Sequence, residues 1–157
     1  MEIVKLPKMD EQEIQVLMQT ECICRIAFMD GEFPYIAPFQ YVFLHNSLYF
    51  HITDYGKKRE IIARNNHVCI SIEKLKPDLS EYRFLCIQGK LELITDPAER
   101  SEVIRKFVAQ AKKKFSTAFL SAHGFEKQKG WDILTETKPL LIFKLTPIGD
   151  PIGLKSL

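Results

Sequence analysis

The densest group of residues that could do chemistry follows one predicted strand, Leu48 to Thr53. Apolar side chains alternate there with a second set that includes His51 and Thr53, both able to form hydrogen bonds. A glycine turn at Gly56 comes next, and the three cations Lys57–Arg59 follow at a predicted helix start. Free N–H groups at a helix start, combined with flexible cations, suit a phosphate group. On spacing alone, an ordinary solvated helix turn is the commoner outcome of such a charge run.

Four cysteines, Cys22, Cys24, Cys69 and Cys86, are the other reactive side chains. Cys22 and Cys24 are one residue apart and no C-x-x-C pair accompanies them, which is poor spacing for zinc. The first ten residues contain charges and no apolar core, so we expect no export signal. The sequence therefore predicts reduced, mostly buried thiols in a cytoplasmic protein, and no metal site.

Length and composition predict one globular unit. The chain has 157 residues, of which 46% are hydrophobic and 27% charged, enough for one core and too few for two ordinary domains. We expect a single domain over residues 1–157, with an irregular tail at about 147–157. A formal charge of only +2 produces no strong positive potential that would attract a nucleic acid. No apolar run reaches the roughly 20 residues that span a bilayer, so neither a nucleic acid nor a membrane is an expected partner.

The elements that must position these residues are mostly strands. Six or so apolar or alternating segments, joined largely by short turns, favour a mainly β fold built as a closed or nearly closed antiparallel barrel. Helix-start signals stand at Asp10, with Glu13 three residues on, and at Asp96, followed by Pro97 and Glu99. Strict βαβ alternation and a G-x-G-x-x-G motif are both missing, which argues against a Rossmann fold.

Four segments between residues 10 and 115 follow one another in an order and spacing that chance would seldom produce. They are Gly31–Val42; Leu48–His51 with Gly56–Lys58; Ile61–Asn65 with Val68–Ser71; and Ile87–Glu92 with Thr95–Pro97. Together they resemble the FMN-binding split-barrel family related to pyridoxamine 5'-phosphate oxidase. The H-x(4)-G-x-K pattern is most similar to its nitroimidazole-resistance-like branch. The resemblance implies a six-stranded antiparallel split β-barrel of Greek-key type with a few peripheral helices.

The resemblance also implies FMN as the cofactor and a set of residues around it. These are Pro38, Phe39, Gln40, Tyr41, His51, Thr53, Lys57, Lys58, Gln88 and Trp131. The backbone of residues 38–41 is expected to line the flavin ring, and Gln88 to approach its polar edge. His51 and Thr53 are expected to face the ribityl phosphate, and Lys58, with Lys57, to pair with it. Trp131 would cap the ring from a partner subunit, or be a plain core or surface aromatic. No catalytic residue is assigned.

The strand Tyr35–Leu44 is apolar on both faces, and a barrel in water buries only its inner face. Together with the resemblance, this predicts a homodimer with FMN at the interface; a covering helix from the same chain is the alternative. The expected function is an FMN-dependent oxidoreductase acting on a small molecule. The alternatives are a non-catalytic flavin carrier, or the same barrel binding haem or a deazaflavin. The arginine-rich substrate segment of true pyridoxamine-phosphate oxidases has no close match here, which argues against vitamin B6 oxidation.

Overall fold

The structure, a computed structural model, describes residues 5–118, 130–131 and 140–157. Within these ranges lie three named helices and seven strands. The helices are α1 (Glu11–Thr20), α2 (Lys57–Arg64) and α3 (Pro97–Lys114). The strands are β1 (Ile23–Asp30), β2 (Phe33–Leu44), β3 (Ser47–Thr53), β4 (His67–Leu75), β5 (Tyr82–Leu93), β6 (Leu140–Pro147) and β7 (Ile152–Lys155).

Two helices begin where their capping signals predict. The Asp10 carboxylate accepts a hydrogen bond from the Glu13 N–H at 2.8 Å, and the Glu13 carboxylate accepts one from the Asp10 N–H at 3.0 Å. Asp96 likewise accepts from the Glu99 N–H at 2.7 Å, with Pro97 in the first turn. Each cap satisfies backbone donors that a helix start leaves without partners. Among the described helices, none is long and apolar enough to cross a bilayer.

Six strands close into an antiparallel barrel in the order β4-β1-β2-β3-β6-β5, and β4 pairs with β5 to complete the ring. The first four strands lie in the spatial order 4-1-2-3, which is the arrangement of a Greek key. The seventh strand, β7, adds to the edge of β5 outside the ring. The predicted fold class is therefore confirmed.

The barrel interior holds the main core. Alternation along β3 and β4 predicts which residues point inward, because successive side chains of a strand face opposite sides. These inward residues are all buried: Leu48, Phe50, Ile52, Val68, Ile70 and Ile72.

A second apolar cluster lies outside the barrel, beneath α3. Phe107 and Val103 of α3 are buried against Val42 of β2, Tyr49 of β3 and Ile142 of β6. The α3 helix thus covers the outer face of these three strands. For this part of β2, the cover is a helix of the same chain.

The last eleven residues differ from the expected irregular tail. Residues Ile152–Lys155 form strand β7, which pairs with β5 between Arg83 and Cys86. The reason lies in β5, which is twelve residues long but pairs with β6 only from Gly89 to Leu93. This leaves an edge that the tail fills, and a four-residue strand containing a glycine carries no recognisable alternation of its own.

Gly89 is one place where a side chain would not fit. A Cβ atom there would lie 2.5 Å from the carbonyl oxygen of Thr146, closer than real contacts allow. The backbones of β5 and β6 approach each other at this point, as expected for a glycine inside a long strand.

Candidate functional site

A cleft of about 520 Å³ opens in the wall of the barrel. It lies where β2, β3, the start of α2 and the residue after α3 come together. Its lining residues are Ile23, Pro38, Phe39, Gln40, His51, Ile52, Thr53, Lys58 and Phe115. Six of the ten residues predicted to bind the cofactor are among them.

The cleft forms where two neighbouring strands separate. The β2–β3 ladder runs from Leu44 and Ser47 only as far as Tyr41 and Phe50. Before that point β2 pairs with β1, and beyond it β3 pairs with β6. Residues 38–40 of β2 and residues 51–53 of β3 therefore do not pair with each other, and their facing backbone edges are left apart. Backbone groups at such edges can serve the polar rim of a flat ligand.

The three consecutive cations at the start of α2 have different surroundings. The Lys57 ammonium lies 2.9 Å from the Asp30 carboxylate, and the Arg59 guanidinium lies 3.1 Å from the Asp54 carboxylate. The Lys58 ammonium lies 5.2 Å from the centre of the Phe39 ring, inside the cleft. Within the described part of the chain, no carboxylate pairs with Lys58.

Asp30 holds Lys57 away from the cleft. Its carboxylate also lies 3.0 Å from the Arg64 guanidinium. The hydrogen bond from Lys57, helped by the charges of both cations, keeps the pKa of Asp30 below its ordinary value. Lys57 also lies 4.9 Å from the centre of the Tyr35 ring. The structure thus places Lys57 outside the lining of the cleft, whereas Lys58 belongs to it.

The start of α2 offers backbone donors as well as a cation. Its N-cap is Gly56, at φ +85°, and no side chain caps the helix. The first helical hydrogen bond runs from the Glu60 N–H to the Gly56 carbonyl at 3.2 Å. The N–H groups of residues 57–59 therefore have no partner within the helix. In the preceding turn, the Thr53 hydroxyl donates to the Tyr55 carbonyl at 3.1 Å.

Two polar side chains at the cleft are held by α3. The His51 ring packs edge-on against the Phe107 ring, with centroids 5.0 Å apart. The Gln40 amide donates from Nε2 to the Gln110 Oε1 at 2.8 Å. Gln40 is 8% exposed and is the one buried polar side chain among the described residues. With its N–H group directed at Gln110, its amide oxygen stays available as an acceptor.

Four of the predicted residues do not line the cleft. Lys57 is the first, because of Asp30. The Tyr41 side chain points into the barrel, where its hydroxyl donates to the Met18 carbonyl at 3.1 Å and burial raises its pKa. The Tyr41 side chain faces away from that of its neighbour Gln40, which lines the cleft, because adjacent residues of a strand face opposite sides.

Gln88 and Trp131 are the other two. Gln88 is exposed on β5, opposite Cys69 of β4. Trp131 is 4% exposed and belongs to the cluster beneath α3, with its ring 6.2 Å from that of Phe115. Within its own chain, Trp131 is therefore a buried residue of this cluster.

Sequence reasoning did not single out Ile23, Phe115 or Gln110 for this site. Phe115 follows α3 in the same apolar stripe as Phe107, a pattern that predicts core packing. Gln110 contacts Gln40 only because α3 crosses β2, seventy residues earlier in the chain. No local signal could have identified these residues. In the described ranges, no group of three or more His, Cys, Asp or Glu residues could hold a metal ion.

A closed six-stranded barrel with a cleft between two of its strands defines the split-barrel class. The family model for pyridoxamine 5'-phosphate oxidase matches residues 10–125, well over half of the chain. The chain belongs to this family, and the resemblance predicted from its sequence is confirmed. No curated protein sequence matches the chain significantly.

Solved structures show the same fold. An FAD-binding protein from Mesorhizobium loti is 17% identical, with a TM-score of 0.65 and 96% of each chain covered. A proposed 5-nitroimidazole antibiotic resistance protein from Bacteroides thetaiotaomicron is 22% identical, with a TM-score of 0.64; 96% of this chain and 90% of that chain are covered. The haem storage protein HutZ from Vibrio cholerae is 17% identical, with a TM-score of 0.65, covering 92% of this chain and 94% of that chain.

Proposed function

We propose that the protein binds FMN in the β2–β3 cleft and is an FMN-dependent oxidoreductase acting on a small molecule. The observation that carries the proposal is Lys58, a cation without a carboxylate partner among the described residues, beside an uncapped helix start at one end of the cleft. Ammonium and backbone N–H groups together bind a phosphate well. Membership in the pyridoxamine 5'-phosphate oxidase family supports a flavin in particular, and so does the structural similarity to the FAD-binding protein from Mesorhizobium loti.

The rest of the cleft fits the flavin ring. Apolar surfaces of Ile23, Pro38, Phe39 and Phe115 line it, and a flat apolar slot is what an aromatic ring system needs. The Gln40 amide oxygen and the free strand edges can bind the polar rim of the ring. When bound, the flavin supplies the hydride or electron transfer, and the protein orients it and limits access of water.

The cations favour FMN over FAD. Asp30 and Asp54 each hold a neighbouring cation, which leaves Lys58 as the side chain for a phosphate. A terminal phosphate can use this ammonium together with the helix start. The second phosphate of FAD would have to compete with Asp30 or Asp54 for Lys57 or Arg59.

The chromophore of the purified protein tests the proposal. We expect an FMN absorbance spectrum, and FMN close to one per chain after release and mass spectrometry. FAD in its place would correct the cofactor. A colourless protein that also fails to bind added FMN would overturn the proposal.

Haem is the second candidate ligand. HutZ shares the fold and is named as a haem storage protein, and His51 is the one histidine lining the cleft. A histidine can ligate haem iron. A Soret band in the purified protein would favour haem. A flavin spectrum from a protein that oxidises none of the reductants offered to it would favour a flavin carrier.

We also propose that two chains form a homodimer with the cleft at the interface. Part of the outer face near the cleft is apolar and exposed: Ile36 is 61% exposed, Ile23 48% and Met29 53%. Ile23 also lines the cleft, so a partner covering this surface would enclose the ligand. A two-fold pair is the commonest way to cover such a surface.

We place the protein in the cytoplasm, where its four free cysteines stay reduced.

A further inference from the structure

Two of the four cysteines contact each other away from the cleft. The sulfur atoms of Cys69 and Cys86 lie 3.1 Å apart. In the described structure, neither Cys22 nor Cys24 contacts another thiol. Cys24 is 2% exposed, whereas Cys69 and Cys86 are both half-buried. A pair of touching thiols that a small oxidant can reach is thus distinct from the other two cysteines.

The strand register explains why these thiols meet. On β4, Cys69 is opposite Gln88 of β5, and Ser71 is opposite Cys86. The two cysteines are diagonal neighbours on the outer face, since Ile70 and its inward neighbours fill the core. Diagonal side chains are usually too far apart for a bond, with Cα atoms about 7–8 Å apart. Here the two side chains lean toward each other across the ladder.

The backbone on both sides of the pair is firmly held. Cys69 lies between β1 and β5, opposite Ala27 on one side and Gln88 on the other. Cys86 lies between β4 and β7, opposite Ser71 and Ile152. Strands paired on both edges keep the sulfur atoms near each other. Such a fixed arrangement gives each thiol a very high effective concentration toward the other.

We propose that Cys69 and Cys86 are a redox modification site that forms a reversible intrachain disulfide when the protein meets a peroxide. The sulfur of one cysteine attacks a peroxide oxygen, the O–O bond breaks, and a sulfenic acid and water form. The second thiol then attacks the sulfenic sulfur; the S–S bond forms and a second water leaves. In total, two thiols and one hydrogen peroxide give one disulfide and two waters.

The surroundings of the pair account for its resting state. Burial and the contact with Cys86 raise the pKa of Cys69 to about 11. Because the thiolate is the reactive form, the raised pKa makes the Cys69 thiol a slow nucleophile and keeps it reduced at low peroxide concentrations. Closing the bond shortens the distance between the sulfur atoms from 3.1 Å to about 2.05 Å and draws the two strands slightly together at this point. The site does not depend on the ligand proposed for the cleft.

Peroxide treatment of the full-length protein, as purified and fully reduced, tests this site. After quenching and alkylation under denaturing conditions, we expect the four free thiols to fall to two. Before alkylation, the intact mass should be lower by two hydrogens per chain, and a peptide containing Cys69 should be linked to one containing Cys86. Dithiothreitol should restore all four thiols.

Serine variants supply the controls. Cys69→Ser and Cys86→Ser should each prevent the crosslink and leave a sulfenic acid on the remaining cysteine, which dimedone traps. Cys22→Ser should form the crosslink as the wild type does. Three results would overturn the proposal. The wild-type protein could keep all four thiols, it could lose Cys22 and Cys24 as fast as Cys69 and Cys86, or it could crosslink only between chains.

Discussion

The outer face of β2 has two halves with opposite surroundings. In the second half, Val42 is fully buried beneath α3, within the cluster that holds Phe107. In the first half, Ile36 is 61% exposed, although it is as apolar as Val42 and lies on the same face. The chain covers one half with its own helix and leaves the other half bare.

The candidate site lies at the border between these halves. Pro38 and Gln40 stand between Ile36 and Val42 on the same face, and both line the cleft. Gln110 near the end of α3 holds Gln40 by a hydrogen bond of 2.8 Å. A cofactor there would have a rigid wall on the side of α3 and an open side toward the bare half. The cleft therefore lies where α3 ends and no longer covers the outer face of β2.

The largest expected effect is on the covered half. Phe107→Ala should lower the free energy of unfolding by about 3–5 kcal/mol, because it leaves a cavity among buried side chains. Urea unfolding measures this change. The same variant removes the ring against which His51 packs, so ligand binding should also weaken. A loss of about 0.5 kcal/mol or less, within the range of ordinary surface changes, would show that α3 is not firmly packed.

Lys58→Ala should come next, with an effect on binding rather than stability. Loss of a charge-assisted hydrogen bond should weaken FMN binding by about 1.5–3 kcal/mol, measured by titration with FMN. The matched control is Lys57→Ala, which removes a cation paired with Asp30 and should change the affinity much less. The reverse result, in which Lys57→Ala abolishes binding, would mean that the phosphate binds Lys57 rather than Lys58.

Gln110→Ala should have a smaller effect, at the border itself. It removes one hydrogen bond to Gln40, worth about 0.5–1.5 kcal/mol. The affinity for FMN should fall by that amount, because the Gln40 amide is no longer held in one orientation. Gln110→Glu keeps an acceptor and should restore most of the affinity. Equal losses in the two variants would indicate that the hydrogen bond to Gln40 does not position the ligand.

Ile36→Glu, on the bare half, should have the smallest effect on folding. An exposed substitution of this kind changes the free energy of unfolding by about 0.5 kcal/mol or less within one chain. Its effect on assembly should be large, because it places a charge in the proposed interface. Light scattering should give the mass of a dimer for the wild type and that of a monomer for the variant.

Val16→Glu is the control for that experiment. Val16 is an apolar residue of α1 that is 42% exposed, outside the bare half of β2. This variant should remain a dimer. A wild-type protein with the 18.2 kDa mass of one chain would contradict the proposed dimer.

Much of the fold could be predicted because its signals are local. The capping residues Asp10 and Asp96 contact backbone groups three residues away, and the inward residues of β3 and β4 follow from alternation. Strand β7 could not be predicted in this way. It exists because β5 extends beyond β6 and leaves an edge to be paired, which is a property of the assembled sheet.

For the candidate site, the sequence by itself determined which segment carries the chemistry: a strand with His51 and Thr53, a glycine turn, and cations at a helix start. Only the tertiary structure decided which of those cations faces the cleft. Lys57 and Lys58 are adjacent and of the same type, so no local pattern distinguishes them. Asp30, on a different strand, binds Lys57 and leaves Lys58 in the cleft. Contacts between distant parts of the chain depend on how the barrel closes, and that information is spread over the whole sequence.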